Sequence, residues 1–479
     1  MFEHPWMRPI YGTALAAALC AAPPHANADG RSKATQAAAA TQAAQMSVVD
    51  EGEKVGNLLG VEMKVKHFTL SNGLRVYVHE DHSTPMFAYH MAFHVGSRDE
   101  ETGKSGFAHF FEHMMFKGSQ NVPDGGHMKY VLGAGGRVNA FTRADTTEYF
   151  DIVPANYLDR ILYLESDRLK SLAVTPVNFE NQRKAVLKEM GEKVDNQPYA
   201  RALKEFIAEI WIGTGYGHLT IGSKADLMAA STEDVKAFFD KHYVPNNGVI
   251  AIVGDVEYEE VKTKVQDYFG DIPKGPARKP RPAIDHEQGD TLERTVEDKL
   301  ARQPLFLIGW KTTPRDHADR HAIEILMNVL LRGDSSRITR LLKDEKRLVV
   351  ASIPIPASES GGNDAGAALG AFVPARGKTI AEIKSVVMDE VKRVRTKGIT
   401  PKELQKAINQ LTVDTVSGLS TNAGRAARIA DGVVFHDDPT FEFSDLERYR
   451  KVTIADIKRV ANTYLTEHWL VLDIQPPTK

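Results

Sequence analysis

The segment Gly106-Phe107-Ala108-His109-Phe110-Phe111-Glu112-His113-Met114-Met115-Phe116-Lys117-Gly118 holds no proline and keeps glycine to its two ends. Phe, Met and Ala fill most of the other places, which predicts a buried helix. His109 and His113 stand four apart, so both imidazoles leave one face, a turn from each other. That spacing lets two neutral ring nitrogens meet one metal ion. Glu112, three residues after His109, flanks the same face, where a carboxylate can take a proton from water held by the metal. Helical His and Glu are commonly surface residues, and such a pattern also arises by chance. Here the surroundings are apolar, and ionisable side chains on a buried helix are costly unless something pairs them. The order H-x-x-E-H reverses the commoner H-E-x-x-H zinc motif.

Around this helix the chain has the composition of an ordinary globular protein. Its 479 residues suffice for about two to four domains. A net charge of −3 implies no nucleic-acid or other polyanionic partner. Cys20 is the single cysteine, so no disulfide forms within one chain and thiolate metal sites are excluded. The N-terminus reads as an export signal: Arg8, a short apolar run from Thr13 to Ala22, then Ala26-Asn27-Ala28 as a small-x-small cleavage site. Cleavage after Ala28 would leave a cysteine-free mature chain in the periplasm or another exported location. Leu19 is bulky where a lipidated Cys20 would need a small neighbour, and an uncleaved Ala-rich tail is the alternative. No later segment reaches the length of a membrane span.

Residues 29–59, rich in Ala, Gln, Ser, Thr and charge up to about residue 56, predict a flexible leader, with the fold beginning near Val61. His67 to Val78 predicts two strands about an Asn72-Gly73 hairpin turn. A strand follows at Met86–Val95, then the metal helix, two short strands at 137–142 and 146–153, and helices near 155–171, 176–197, 199–211 and 232–242. A buried strand at Gly248–Gly254 and a helix at Val256–Phe269 close a unit over 60–272. Residues 273–292, with proline and mixed charge, read as a linker. Residues 293–479 repeat the order, giving an α+β protein of two homologous α/β-roll-like repeats, each a mostly antiparallel sheet packed with helices. In the second repeat, the helix at 318–331 carries His321 and Glu324 but has Ile325 where a second His would stand. It is a decayed counterpart or a coincidence, and only the first repeat can hold a metal by this motif.

Two imidazoles and a water leave one protein position open on a tetrahedral zinc. Glu189 lies on a strong helical stretch, a turn after Ala185 and Val186 on a partly apolar face, with Glu192 close by. Surface glutamates are common on helices, so spacing alone does not select it. The chain from Val61 to Ile474 resembles the M16 metallopeptidases, the inverzincin family of pitrilysin, insulysin and mitochondrial processing peptidase. The residues that carry the resemblance are Leu70-Ser71-Asn72-Gly73-Leu74, the block 106–118, Asn139-Ala140-Phe141-Thr142, and Glu189 at the expected interval. It is specific at 106–118 and diffuse in the second half. It implies one Zn2+ per chain on His109, His113 and Glu189, with Glu112 as general base. It also implies that Asn139, Ala140 and Phe141 lie on an edge strand that pairs with extended substrate, an ordinary sheet strand being the alternative. One departure is Gln182, where the family carries a second Glu; it keeps hydrogen bonding and loses the charge.

The resemblance further implies a chamber closed by four repeats, two of which this chain supplies. Family active sites also borrow an Arg and a Tyr from the opposing half. Alignment of 337–350 puts Lys343 and Val350 at those places, and Val cannot donate a hydrogen bond. The expectation is therefore a zinc endopeptidase acting on peptides, heterodimeric with a homologous subunit that supplies Arg and Tyr rather than homodimeric. A non-catalytic scaffold subunit and a dedicated peptide-maturation protease are the alternatives.

Overall fold

A computed structural model describes residues 48–281, 284, 289–355 and 363–478. The first half runs β1 (Val48–Leu58), β2 (Val61–Leu70), β3 (Arg75–Glu80), β4 (Met86–Phe93), α1 (Phe107–Met114), α2 (Gly126–Gly133), β5 (Arg137–Thr142) and β6 (Thr147–Pro154). It continues with α3 (Leu158–Ser171), α4 (Pro176–Met190), α5 (Ala200–Ile210), α6 (Lys224–Ala229), α7 (Thr232–His242), β7 (Gly248–Gly254) and α8 (Tyr258–Phe269). The second half runs β8 (Leu292–Glu297), β9 (Leu305–Thr312), α9 (Arg320–Leu331), α10 (Arg337–Thr339), β10 (Val349–Ile355) and β11 (Gly366–Pro374). After these come α11 (Ile380–Lys397), α12 (Pro401–Gly418), α13 (Asn422–His436), α14 (Phe441–Lys451), α15 (Ile454–Tyr464) and β12 (Leu470–Gln475).

The first sheet has the order β1-β2-β3-β7-β4-β6-β5, antiparallel throughout except for β3 beside β7. The second has the order β10-β11-β9-β12-β8, with β12 parallel to β8. Both are mostly antiparallel and packed with helices, as the α+β reading with two repeats expects. The Asn72-Gly73 turn joins β2 to β3, and Gly73 takes a φ of +88°. The Asn72 amide donates to the carbonyls of Phe269 and Ile272, tying the turn to the end of α8.

The central strands of each sheet are buried on both faces, and the second cover comes from the other half of the chain. Alternate side chains of a strand face opposite ways. Phe87, Tyr89, Met91, Ile250 and Ile252 therefore join the core beneath α1, α3 and α8. Ala88, Ala92, Val249, Ala251 and Val253 point the other way, onto Ala426, Ile429 and Val433 of α13. In the second sheet Phe306, Ile308 and Trp310 face α9, α11 and α15. Leu305, Leu307 and Leu472 meet Phe206 and Ile210 of α5, together with Trp211. The exchange of helices makes the halves one folding unit despite their repeated order.

The structure departs from the sequence expectations at the edges. Residues 48–58, expected within the flexible leader, form β1, paired with β2 from Val48↔Leu70 to Leu58↔Val61. The strand is exposed along nearly its whole length, so backbone pairing rather than an apolar pattern holds it. Only Gly56 is buried, against Phe443 and Thr440, where a Cβ would come within 3.1 Å. The linker ends in β8, which starts at Leu292. Helices α6 and α14 have no counterpart in the sequence reading. The export signal at 1–28, residues 29–47 of the leader, and 282–283 and 285–288 of the linker lie outside the described residues.

Candidate metal centre

Helix α1 is short and depends on its neighbours. Its N-terminal N–H groups at Gly106 and Ala108 donate to the carboxylate of Glu100, each at 2.8 Å, which satisfies the helix end and its dipole. His218 Nε2 lies 2.8 Å from the same carboxylate. Gly106 has φ +92°, and a Cβ there would sit 2.7 Å from the Ile221 carbonyl oxygen. Gly106→Ala is expected to cost about 1–3 kcal/mol through left-handed strain and this backbone clash. Urea unfolding of the variant reads it, and an unchanged midpoint would show that the turn relaxes freely. Phe107, Phe110, Phe111 and Met114 are buried on one side of α1. His109, Glu112 and His113 are thereby turned to the other.

Helix α4 starts from Thr175, whose hydroxyl accepts the Asn178 N–H, with Pro176 at its first position. It docks on α1 through Phe179 against Phe110, ring centres 5.3 Å apart. Glu189, one residue from the end of α4, reaches the two imidazoles. Its Oε2 lies 3.1 Å from His113 Nε2 and 3.6 Å from His109 Nε2. The imidazole centres are 4.8 Å apart. Ligands on a tetrahedral zinc at its usual bond lengths of about 2.0–2.1 Å stand roughly 3.3–3.4 Å from one another. The donor set and its spacing therefore fit a zinc ion. The Glu189 Oε1 takes the Lys193 ammonium at 2.6 Å, which leaves Oε2 for a metal. Lys193 follows Glu189 by four residues, within reach along the helix face, as the chain leaves α4 in a π-helical turn, Gly191–Asp195.

The site is partly enclosed, with side-chain exposures of 12% for His109, 25% for His113 and 18% for Glu189. Burial, with His113 beside it, holds the His109 imidazole down to about 4, so it is neutral and able to donate a lone pair at physiological pH. Burial pushes the Glu112 carboxyl up, opposed by a hydrogen bond from Thr142. At Glu189 burial acts upward but is outweighed by the Lys193 hydrogen bond and the imidazoles, so its carboxyl lies below the ordinary value.

The structure thus brings His109, His113, Glu189 and Glu112 together. Asn139, Ala140 and Phe141 lie on β5, which ends the first sheet; among the described residues no strand pairs with its outer side. Ala140 is buried toward the core under α1. Asn139 and Phe141 project from the opposite face, and the Phe141 ring lies near His90 and Phe150, with the Arg143 guanidinium above it. Gln182 is partly buried on α4, two turns before Glu189. Lys343 is exposed and paired with Asp334 at 2.9 Å, and Val350 is 56% exposed on β10, an edge of the second sheet. His321 of the second half is paired with Asp445, and Ile325 is fully buried. Two neighbours of the site, Glu100 and Lys193, escaped the sequence reading, as did the contact of Thr142 with Glu112. Only the four-residue spacing of Lys193 from Glu189 was a visible signal, and surface helices offer many such pairs.

A second cluster of ligand-type side chains, His127, Asp151 and Glu165, is buried behind α1. Here Arg168 already supplies the positive charge, its Nη2 2.6 and 2.7 Å from the Glu165 oxygens. Burial pushes Asp151 up to about 6 and Glu165 up to about 7, and holds His127 down to about 3. The arginine charge offsets the two carboxyls, and the buried imidazole is neutral.

The profile described as Insulinase (Peptidase family M16) matches residues 75–224, and the profile described as Peptidase M16 inactive domain matches 229–411. The zinc protease PqqE of Helicobacter pylori is 28% identical over 425 residues, covering 84% of this chain and 91% of that protein. The crystal structure of a protease from Helicobacter pylori superposes with a TM-score of 0.79 at 26% identity, covering 86% of this chain and all of that one. Pitrilysin, at 16% identity, shares the fold, with a TM-score of 0.72 over 89% of this chain and 47% of its own. With the two profiles matching in succession along the chain, and the metal-type cluster inside the first, the chain belongs to the M16 peptidase family.

Proposed function

We propose that this chain is a zinc-dependent endopeptidase that cuts extended peptides, the metal-bearing member of a two-chain enzyme. The observation that carries the reading is a carboxylate, Glu112, beside the His109–His113–Glu189 donor set at the end of an open strand edge. Zinc on those three side chains would supply Lewis acidity, polarising a scissile carbonyl and acidifying a water. Glu112 would take the proton from that water and hand it to the leaving amine, general-base and then general-acid work. The outer edge of β5 would hold the substrate backbone extended by strand pairing.

A second chain is proposed because this one lacks an Arg and a Tyr at 343 and 350. The chain also spans about half of pitrilysin, whose fold it shares. Export directed by residues 1–28 is part of the same proposal. Among the described residues no helix is long and apolar enough to cross a membrane. The experiment is co-production with a homologous chain that has an Arg–Tyr pair and a broken metal motif, followed by metal analysis and peptide digestion. One zinc per metal-bearing chain is expected, with digestion abolished by a chelator and restored by zinc. Full digestion after the metal is stripped would end the proposal.

A further inference from the structure

Glu112 meets one hydrogen-bond donor among the described residues: the Thr142 hydroxyl, 2.7 Å from its Oε2. Thr142 is the last residue of β5, and β5 is the open edge. The hydrogen-bond phase of that strand gives the contact a meaning. The Arg143 N–H donates to the Thr146 carbonyl at 2.8 Å, which closes the hairpin onto β6. Antiparallel ladders alternate between residues that bond the partner strand and residues that do not. Arg143, Phe141 and Asn139 are therefore the inward set. The backbone N–H and C=O groups of Thr142, Ala140 and Val138 turn to the outer side, where an added strand would pair.

Thr142 thus touches both halves of the chemistry. Its backbone lies on the docking edge, and its side chain holds the base. A threonine has few side-chain rotamers, so the direction of its hydroxyl follows its backbone closely. A carboxylate held at one oxygen keeps the other free, at a fixed angle, for water. We propose that Thr142 is the positioning residue for Glu112, coupling the alignment of the general base to the docking of an extended peptide on β5. This rests on the proteolytic function proposed above.

The test uses the zinc-loaded protein with its partner chain and three variants. Thr142→Val keeps the shape and the strand preference and removes the hydroxyl. Thr142→Ser keeps the hydroxyl, and Thr142→Ala lacks it. In the Val variant kcat is expected to fall about 10–100-fold, with KM and zinc content close to wild type, because an orienting partner acts in turnover rather than in binding. The Ser variant is expected to retain most of the rate. If the Val protein folds poorly, the contrast of Ser with Ala carries the same comparison. Unchanged kcat in the Val and Ala variants, or a raised KM at unchanged kcat, would overturn the proposal. A crystal structure of the zinc-loaded Val variant gives a readout apart from activity. The Glu112 carboxylate is expected to rotate from its wild-type position, and an unmoved carboxylate would refute the inference. A wild-type complex that holds zinc and cleaves no peptide would instead refute the function beneath it.

Discussion

Glu112→Gln keeps its zinc and loses turnover by a factor of about 10²–10⁴, the usual contribution of a positioned acid–base group. The substitution nearly preserves volume and leaves a side-chain oxygen that can still accept from Thr142. What it removes is the ability to take a proton. The three donors His109, His113 and Glu189 are untouched, and α1 remains anchored by Phe107, Phe110, Phe111 and Met114. Metal content by elemental analysis should therefore match wild type while peptide digestion by the assembled enzyme collapses. Glu189→Ala should behave differently: with one donor gone, the metal itself should be lost. A Gln variant with a full complement of zinc and a wild-type rate would remove Glu112 from the chemistry. The contrast between the two variants separates proton transfer from metal retention, which activity measurements alone would merge.

Much of this arrangement is legible in the sequence. The apolar filling of 106–118 predicts a buried helix, and His109, Glu112 and His113 are costly there unless something pairs them. The Asn72-Gly73 turn between the two strand-like runs of His67 to Val78 predicts the hairpin. Glu189 was not legible from spacing alone, because its place depends on α4 docking against α1 through Phe179, a contact between distant segments. The same holds for Thr142, whose hydroxyl meets Glu112 only because β5 runs past α1. Strand β1 escaped for another reason. Its residues Asp50 to Asn57 have a polar, glycine-containing sequence, and its order comes from backbone pairing with β2, which leaves no mark in composition. The mutual covering of the sheets by α5 and α13 was also hidden: both strand faces are apolar in β4 and β7, but the sequence does not say which helix covers which face.

Arg168→Met is expected to destabilise the protein by about 3–5 kcal/mol at neutral pH, the cost of leaving buried charge without its partner. Arg168 is 3% exposed, its Nη2 donating to Glu165 Oε2 at 2.7 Å and lying 2.6 Å from Oε1, with its guanidinium 4.7 Å from the centre of the Tyr149 ring. Without it, Glu165 and Asp151 share a dry interior with a neutral His127. The sign of the pH dependence follows from the raised carboxyls. Both folded values, about 7 for Glu165 and about 6 for Asp151, lie above the ordinary 4.5 and 3.8. The unfolded chain gives up these protons first, so the stability tied to holding them is present below about pH 4 and is lost as pH rises through 6 and 7. Removing Arg168 raises both carboxyls further, so the deficit of the variant should be small at pH 5 and large at pH 8. Urea unfolding at the two values measures it. Glu165→Gln in the same chain should recover part of the loss, since the second change removes the charge that the first left unpaired. If the single variant matches wild type at pH 8, the charge balance assigned to this cluster is wrong, and the cation missing from the count must be supplied by something other than Arg168.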